Sequence, residues 1–240
     1  MSMPRLLLDA GNTRLKWAVV VDGTWQTHGA ADYTALPEAV PLPMHAYVAS
    51  VTHPENEERL RAWCGKLGIP VRWLGVEAAF GDLRNRYDHP EQLGVDRWMA
   101  LIAIRQRTRG AALIVSAGTA VTIDALAADG DFLGGMIVPG CALMRTALKQ
   151  GTARIEDIDG EVRDFPRKTA DAVESGILAA LAGAVRTQYA RLGACASVRP
   201  RCFLTGGDAA YLLPHLAIAA EHVPNLVLEG IDCVAGKEAA

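Results

Sequence analysis

Three short glycine-containing turns each follow an apolar stretch of the sequence. They are Asp9-Ala10-Gly11-Asn12-Thr13, Ser116-Ala117-Gly118-Thr119 and Thr205-Gly206-Gly207-Asp208. Because glycine has no Cβ, a ligand can approach the backbone closely, and backbone N–H groups there can bind anionic oxygens. One such turn would be weak evidence, but three after apolar strands indicate a nucleotide-binding cleft.

Neither of the two commonest phosphate-binding motifs is present. The sequence contains no G-x-G-x-x-G and no G-x-x-x-x-G-K-[ST]. Gly236-Lys237 comes near the second motif, but Ile231 stands where its first glycine belongs. The first two turns lead into another strand, not into a helix, so we expect phosphate to be bound by β-hairpin turns.

The charged residues of the first turn point to a metal-bound phosphate. A carboxylate such as Asp9 at the end of a buried strand is costly unless it is paired or binds a cation. Asp9 is therefore a candidate Mg²⁺ ligand, with turn capping as the alternative. Asn12 and Thr13 supply short donors. Lys16 can neutralise phosphate charge, or it is an ordinary solvated strand residue.

The elements that would position these turns repeat along the chain. LLLDAGNT (6–13) matches LIVSAGTA (113–120), and each copy is followed by a strand and an Asp-Gly turn. This predicts a duplicated α/β protein with domains 1–111 and 112–240. Periodicity predicts strands at 6–8, 16–21, 46–51, 71–74, 113–115, 121–126, 132–138, 202–204 and 225–228, helices at 54–67, 95–107 and 170–192, a short helix after 208, and a loop at 82–93.

The composition narrows the class of protein. With a net charge of -3 and no run of basic residues, the chain has no electrostatic footprint for nucleic acid. No apolar run approaches a membrane span, and residues 6–8 are too short for a signal-peptide core, so we expect a cytoplasmic protein. The five cysteines lack CxxC spacing, which argues against a disulfide framework or a structural zinc site.

Taken in order, the motifs resemble those of type III pantothenate kinases, members of the acetate and sugar kinase/Hsp70/actin superfamily. The matching residues span nearly the whole chain, and the ordered set is highly specific. They are Asp9, Gly11, Asn12, Thr13 and Lys16; Tyr87, Pro90, Gly94, Asp96 and Arg97; Ser116, Gly118, Thr119, Ala120, Thr122 and Asp124; Gly134, Gly135, Ile137, Pro139 and Gly140; and Thr205, Gly206 and Gly207.

This resemblance implies duplicated ribonuclease H-like (actin-like) domains with an interdomain nucleotide cleft. It implies ATP-dependent phosphorylation of pantothenate in coenzyme A biosynthesis, by a homodimer whose interface helps to form the substrate site. Asp96 would be the base. ATP would contact Asp9, Ala10, Gly11, Asn12, Thr13, Arg14, Leu15, Lys16 and Thr119, and pantothenate would contact Tyr87, Gly94, Val95, Asp96, Arg97 and Thr169.

Each substrate residue also has an ordinary structural explanation. Asp96, near the start of a predicted helix, would accept the proton of a primary alcohol, or it simply favours the helix dipole. Arg97 would form a bidentate salt bridge with the pantothenate carboxylate, or it lies on the surface. Tyr87 would close over the substrate or pack ordinarily. Thr169 would be a helix N-cap, a substrate contact, or both.

One position departs from the family pattern. Where Ser116 stands the family usually has Asp, thought to hold a monovalent cation such as K⁺ or NH₄⁺. Because a neutral hydroxyl is a weak cation ligand, that site is in doubt. Two alternatives stay open: a kinase or phosphatase for another small molecule, and a weakly active nucleotide-binding regulator.

Overall fold

The computed structural model describes residues 4–37, 45–155 and 159–238. The chain divides into two compact units. Unit 1 comprises Met1–Arg107 together with Asn225–Ala240, and unit 2 comprises Thr108–Pro224. None of the helices in the described ranges is both long and apolar enough to cross a membrane.

Unit 1 is built on a five-stranded mixed sheet. Strand β1 pairs antiparallel with β2, which pairs antiparallel with β3, whereas β1, β4 and β5 are parallel. The order is β3-β2-β1-β4-β5. The strands are β1 (Arg5–Ala10), β2 (Leu15–Val21), β3 (Thr24–Ala31), β4 (His45–Ser50) and β5 (Val71–Trp73).

Three helices and a small hairpin complete unit 1. They are α1 (Pro54–Lys66), α2 (Val95–Arg107), α6 (Leu226–Glu238) and the hairpin of β6 (Ala79–Phe80) and β7 (Leu83–Asn85). Proline at the first turn of α1 needs no N–H partner, and Gly68, with φ of 64°, ends that helix as predicted. Helices α2 and α6 approach backbone to backbone, since a Cβ on Gly230 would lie 1.9 Å from the Met99 carbonyl oxygen.

Unit 2 repeats the same sheet. Its strands follow the order β12-β11-β8-β9-β10, with β8-β9-β10 antiparallel and β8-β11-β12 parallel. They are β8 (Ala112–Ala117), β9 (Ala120–Leu126), β10 (Asp131–Pro139), β11 (Arg201–Thr205) and β12 (Glu221–His222). Its helices are α3 (Cys141–Gly151), α4 (Thr169–Cys195) and α5 (Ala209–Leu212).

Strand for strand, the two sheets correspond in order and direction. Strands β3, β2, β1, β4 and β5 of unit 1 match β10, β9, β8, β11 and β12 of unit 2. Alternate residues of β1 face a core with α1, and alternate residues of β8 face the core that contains α4. The duplication predicted from the repeated sequence is confirmed.

Two predictions of local structure were wrong or incomplete, and a further strand and helix were missed. Residues 225–228 were predicted as a strand, but Leu226 begins helix α6, because the apolar spacing continues at helical period through Ile231 and Val234. Strand β3 and helix α3 were not predicted. The loop expected at 82–93 contains β7 and a short 3-10 turn, Pro90–Gln92.

The division into units also differs from the one drawn from the sequence. The first boundary falls between Arg107 and Thr108, close to the predicted break after residue 111. The second half, however, does not extend to the C-terminus. Helix α6 belongs to unit 1, where its buried face packs on α2 and β1.

Candidate active site

The first strand of unit 1 ends in a paired carboxylate. Asp9 lies opposite Lys16 on β2 and beside Ala49 on β4. The pKa of Asp9 is raised to about 7, mainly by burial and also by the negative charge of Asp96, while the positive charge of Lys16 opposes the shift. At neutral pH this carboxyl group is therefore poised to lose a proton when a cation arrives.

The turn between β1 and β2 is exposed at its tip and anchored at both ends. Asn12, Thr13 and Arg14 are exposed, whereas Ala10 and Leu15 are completely buried. Of the predicted nucleotide residues, Ala10 and Leu15 therefore have core side chains and offer only their backbone to a ligand.

Asp96 lies in the first turn of α2, two residues after Gly94. Its Oδ1 accepts a hydrogen bond of 2.8 Å from the Arg97 backbone N–H, and a Cβ on Gly94 would lie 2.5 Å from that oxygen. Glycine is therefore required for this carboxylate position. Burial raises the pKa of Asp96, while the Arg97 N–H and guanidinium oppose the shift.

Buried Arg97 and half-buried Tyr87 form a pair beside Asp96. Arg97 is 5% exposed, and its Nη1 donates to the Tyr87 hydroxyl at 2.9 Å. The guanidinium carbon lies 5.6 Å from the centre of the tyrosine ring. Arg97 is thus no surface arginine, and Val95, 9% exposed, belongs to the core.

Unit 1 therefore brings two groups of predicted residues together. The charge of Asp96 raises the pKa of Asp9, so the two carboxylates lie in the same region of unit 1. One side supplies the Asp9–Lys16 hairpin and the other supplies Tyr87, Asp96 and Arg97. Asp96 could accept a proton from a nucleophilic hydroxyl placed here, and Asp9 could bind the metal of a metal-bound phosphate. Lys16 and Arg97 supply two positive charges.

The turns of unit 2 contact one another through their backbones. Ser116, partly buried, lies opposite Thr122 on β9 and beside Thr205 on β11. Thr119 is exposed, and its carbonyl accepts the Gly140 N–H at 2.9 Å. A side chain at Gly140 has no room, because its Cβ would lie 2.0 Å from the Gly118 carbonyl oxygen.

Gly206 closes the third turn against the second. Its φ is 100°, and a Cβ there would lie 2.1 Å from the Ala117 carbonyl oxygen. The Asp208 backbone N–H donates to the same oxygen at 3.0 Å. The two glycine turns of unit 2 thus pack closely, backbone against backbone, with Gly140 against the first of them.

Thr169 belongs to unit 2, whereas the other predicted pantothenate contacts belong to unit 1. It is exposed in the first turn of α4, and the N-cap is Lys168. The N-cap prediction for Thr169 was therefore wrong by one residue. The approach to the helix is tight, since a Cβ on Gly160 would lie 2.2 Å from the Ala170 carbonyl oxygen.

Several supporting residues could not be found from the sequence. Asn85 accepts the Tyr87 backbone N–H at 3.1 Å and donates to the Pro90 carbonyl at 3.4 Å, which fixes the segment carrying Tyr87. Tyr33 donates to the Gly11 carbonyl at 2.7 Å. Neither residue belongs to a motif, and each acts through contacts made only in the folded chain.

A buried carboxylate braces the helices of unit 2. Glu174 accepts two hydrogen bonds from Arg145, at 2.6 and 2.8 Å, and one from the Tyr211 hydroxyl. The Arg145 hydrogen bonds lower the pKa of Glu174, and burial raises the pKa of Tyr211 to about 12. Helices α3, α4 and α5 are tied together near the glycine turns, with no sequence motif to signal it.

Comparison with known proteins identifies the family. The family model for type III pantothenate kinase matches residues 5–191. A type III pantothenate kinase of Thiobacillus denitrificans is 55% identical over 239 residues, covering 98% of each chain. The chain belongs to the type III pantothenate kinase family.

Solved structures agree on the fold. A Campylobacter jejuni protein assigned to the Baf family of transcriptional activators superposes with a TM-score of 0.64 at 22% identity, covering 97% of this chain and 98% of that one. The activator of 2-hydroxyisocaproyl-CoA dehydratase from Clostridium difficile gives 0.54 at 15% identity, covering 99% and 96%. The fold is the actin-like fold of the sugar kinases, as predicted.

Proposed function

We propose that this protein transfers the terminal phosphoryl group of ATP to the primary hydroxyl of pantothenate, giving 4'-phosphopantothenate in the first step of coenzyme A biosynthesis. The observation that carries the proposal is the arrangement of Asp96, Arg97 and Tyr87 beside the Asp9–Lys16 hairpin. These residues match the family motifs, and in unit 1 they lie together.

The nucleotide is held, in this proposal, by the turn from Asp9 to Lys16 of unit 1. The residues fit Mg-ATP, because Asp9 is a carboxylate whose pKa of about 7 makes it ready to ionise beside a cation. Lys16 adds a positive charge across the hairpin. Mg-ATP supplies the phosphoryl group, and these residues orient it and balance its charge.

Asp96 accepts the proton of the pantothenate hydroxyl as the new oxygen–phosphorus bond forms. Burial raises the pKa of Asp96, which makes its carboxylate a stronger base. The Arg97 N–H fixes Oδ1 at 2.8 Å, which leaves Oδ2 for the substrate. The room beside Gly94 lets this carboxylate fold back over the backbone.

Arg97 and Tyr87 of unit 1 bind the rest of pantothenate. A buried guanidinium already fixed by a tyrosine loses little freedom when it pairs with a carboxylate, so the pair is well suited to the acid group of pantothenate. Gly94 and Val95 contribute backbone at the same helix start. A substrate lacking the carboxylate would lose this contact.

The serine at position 116 is expected to bind a monovalent cation only weakly. A serine hydroxyl carries no charge, and its cross-strand neighbours Thr122 and Thr205 add only hydroxyl groups. We therefore propose that turnover responds weakly to K⁺ or NH₄⁺.

A cytoplasmic homodimer completes the proposal. Large apolar side chains are exposed on β10 and α3 of unit 2: Leu133 (52%), Ile137 (63%) and Leu143 (44%). Apolar residues this exposed on neighbouring elements are typical of a subunit interface.

Light scattering should give the mass of a dimer. The Ile137→Glu variant should shift this mass towards that of the monomer. The Val198→Glu variant, at another exposed apolar site, should leave it unchanged.

The test is the steady-state rate of ADP formation from Mg-ATP, with and without pantothenate, in potassium and in sodium buffers. We expect turnover that requires pantothenate and changes little between the two salts. A folded protein that binds ADP but forms none with pantothenate would overturn the substrate assignment and favour another alcohol or a regulatory role. Strict dependence on potassium would overturn the reading of Ser116.

A further inference from the structure

A buried tyrosine lies beneath the nucleotide turn of unit 1. Tyr33 follows β3 and is 6% exposed, with its ring in the core beside β1 and α1. Its hydroxyl donates to the Gly11 carbonyl oxygen at 2.7 Å. No motif contains Tyr33, and none of the family-implied contacts includes it.

The Tyr33 side chain and the backbone that flanks it are both held in place. A side-chain hydrogen bond with Thr52, in the segment between β4 and α1, lowers the pKa of Tyr33, against the larger, raising effect of burial. In the flanking chain, the Asp32 carboxylate accepts the Thr34 backbone N–H at 2.9 Å and the Thr34 hydroxyl at 2.7 Å. The hydroxyl therefore meets the turn from a fixed direction.

The orientation of one peptide group follows from this hydrogen bond. In a planar trans peptide the C=O and the N–H point in opposite directions. Because the Gly11 carbonyl points inward to Tyr33, the N–H of the Gly11–Asn12 peptide points away from the core, on the side where Asn12 is exposed. A glycine peptide without such an anchor could rotate at little cost.

We propose that Tyr33 is a positioning residue that holds the Gly11–Asn12 peptide so that the Asn12 N–H faces the phosphates of the bound nucleotide. The inference rests on the proposed assignment of the Asp9–Lys16 turn to the nucleotide, not on the identity of the alcohol. Tyr33 does not touch the nucleotide. It removes the need to order the peptide at the moment of binding.

The Tyr33→Phe variant isolates this role, because it keeps the buried ring and removes only the hydroxyl. We expect the Kd of Mg-ADP and the KM of Mg-ATP to rise about 3- to 10-fold, as for one lost neutral hydrogen bond. The KM of pantothenate and kcat should stay close to wild type. Tyr47→Phe is the matched control, since Tyr47 lies on β4 of the same unit and is 9% exposed.

A purely structural role predicts a different pattern. If Tyr33 served only the core, Tyr33→Phe would leave nucleotide affinity unchanged, or would weaken ATP and pantothenate alike together with a loss of thermal stability. Either result would overturn the proposal, as would an equal effect of Tyr47→Phe on nucleotide affinity.

The amide resonance of Asn12 gives a direct second readout. Adding Mg-ADP to the ¹⁵N-labelled full chain should shift the Asn12 amide proton downfield in the wild type, and less in Tyr33→Phe at saturating nucleotide. Equal shifts in both proteins would contradict the proposal. Because Mg-ADP binding needs no alcohol, a failure of the pantothenate assignment would show separately, as binding without pantothenate-dependent turnover.

Discussion

The two units share one sheet but carry different chemistry at the same place. Asp9 is the fifth residue of β1 and Ser116 the fifth residue of β8, and both are partly buried just before a glycine turn. Across the hairpin Asp9 faces Lys16, whereas Ser116 faces Thr122. A charged pair in one unit thus stands where the other has two hydroxyl groups.

This difference suggests a division of labour after duplication. The described carboxylates and cations assigned to the reaction lie in unit 1, on the β1–β2 hairpin and at the start of α2. In unit 2 the glycine turns pack backbone against backbone, and neither Gly140 nor Gly206 has room for a side chain. The same sheet can place either charged side chains or a bare backbone turn at the end of a strand. The residue at that strand end determines which of the two is present.

Asp96→Asn should have the largest effect, because it removes the base of unit 1 while keeping the shape of the side chain. We expect kcat to fall by about 10²- to 10⁴-fold with little change in the affinity for Mg-ADP. Stopped-time assays and calorimetry measure the two quantities. Lost nucleotide binding with unchanged kcat would mean that Asp96 shapes the nucleotide turn instead.

Asp9→Asn should weaken the use of Mg-ATP by about 10- to 100-fold in kcat/KM, since an amide is a poorer metal ligand. An unchanged magnesium dependence would argue against the assignment.

The pH dependence of Asp9 sharpens the same comparison. The folded-state pKa of Asp9 is about 7, above its ordinary 3.8. Protonated Asp9 therefore stabilises the folded state at low pH, and this contribution is lost as the pH rises between these two values. The ligand-free wild type should therefore lose stability between pH 5 and 7 more steeply than Asp9→Asn in urea unfolding. Mg-ADP affinity should strengthen over the same range. Equal slopes in the two proteins would show that Asp9 ionises normally.

Gly206→Ala tests the backbone role of unit 2. Alanine at φ of 100°, with its Cβ 2.1 Å from a carbonyl oxygen, should cost about 1–3 kcal/mol from backbone strain alone and should weaken nucleotide binding. Gly207→Ala is the matched control, because its Cβ would meet open space. Urea unfolding of both variants measures the difference. Similar stability for the two would remove the argument for a sterically required turn.

Ser116→Asp should have the smallest effect on turnover in sodium buffer and the clearest effect on salt response. The wild type should differ by less than about twofold between potassium and sodium, and the added carboxylate should increase the ratio by strengthening cation binding. A ratio that stays unchanged in Ser116→Asp would mean that the surrounding groups, not residue 116, determine cation binding.

The strands near the repeated turns could be predicted from the sequence because apolar runs and glycine turns are local signals. Strand β3 was missed because its half-buried face, Trp25, Thr27, Gly29 and Ala31, consists mostly of small or polar residues and gives no clear apolar alternation. Helix α6 was mistaken for a strand because Leu226–Leu228 alone fits either period. The α6 packing on unit 1 is a non-local contact that no local pattern records.

Candidate site residues could be proposed from the sequence where they belong to ordered motifs, as with Asp9, Asp96 and Arg97, and their roles stay predictions. Residues that act on another residue's backbone could not be found in this way. Asn85 and Tyr33 hold Tyr87 and Gly11 through hydrogen bonds to main-chain groups. A hydrogen bond to a main-chain group does not depend on the type of the residue that carries that group. Residue spacing in the sequence therefore gives no sign of such a contact.

The most direct test of the account is phosphorus NMR of the reaction product, with wild type and Asp96→Asn compared at equal saturation by Mg-ATP and pantothenate. The account predicts a new phosphomonoester signal coupled to the protons of a CH₂ group, formed rapidly by the wild type and at least about 100-fold more slowly by the variant. A signal of inorganic phosphate alone, or equal rates in the two proteins, would contradict it.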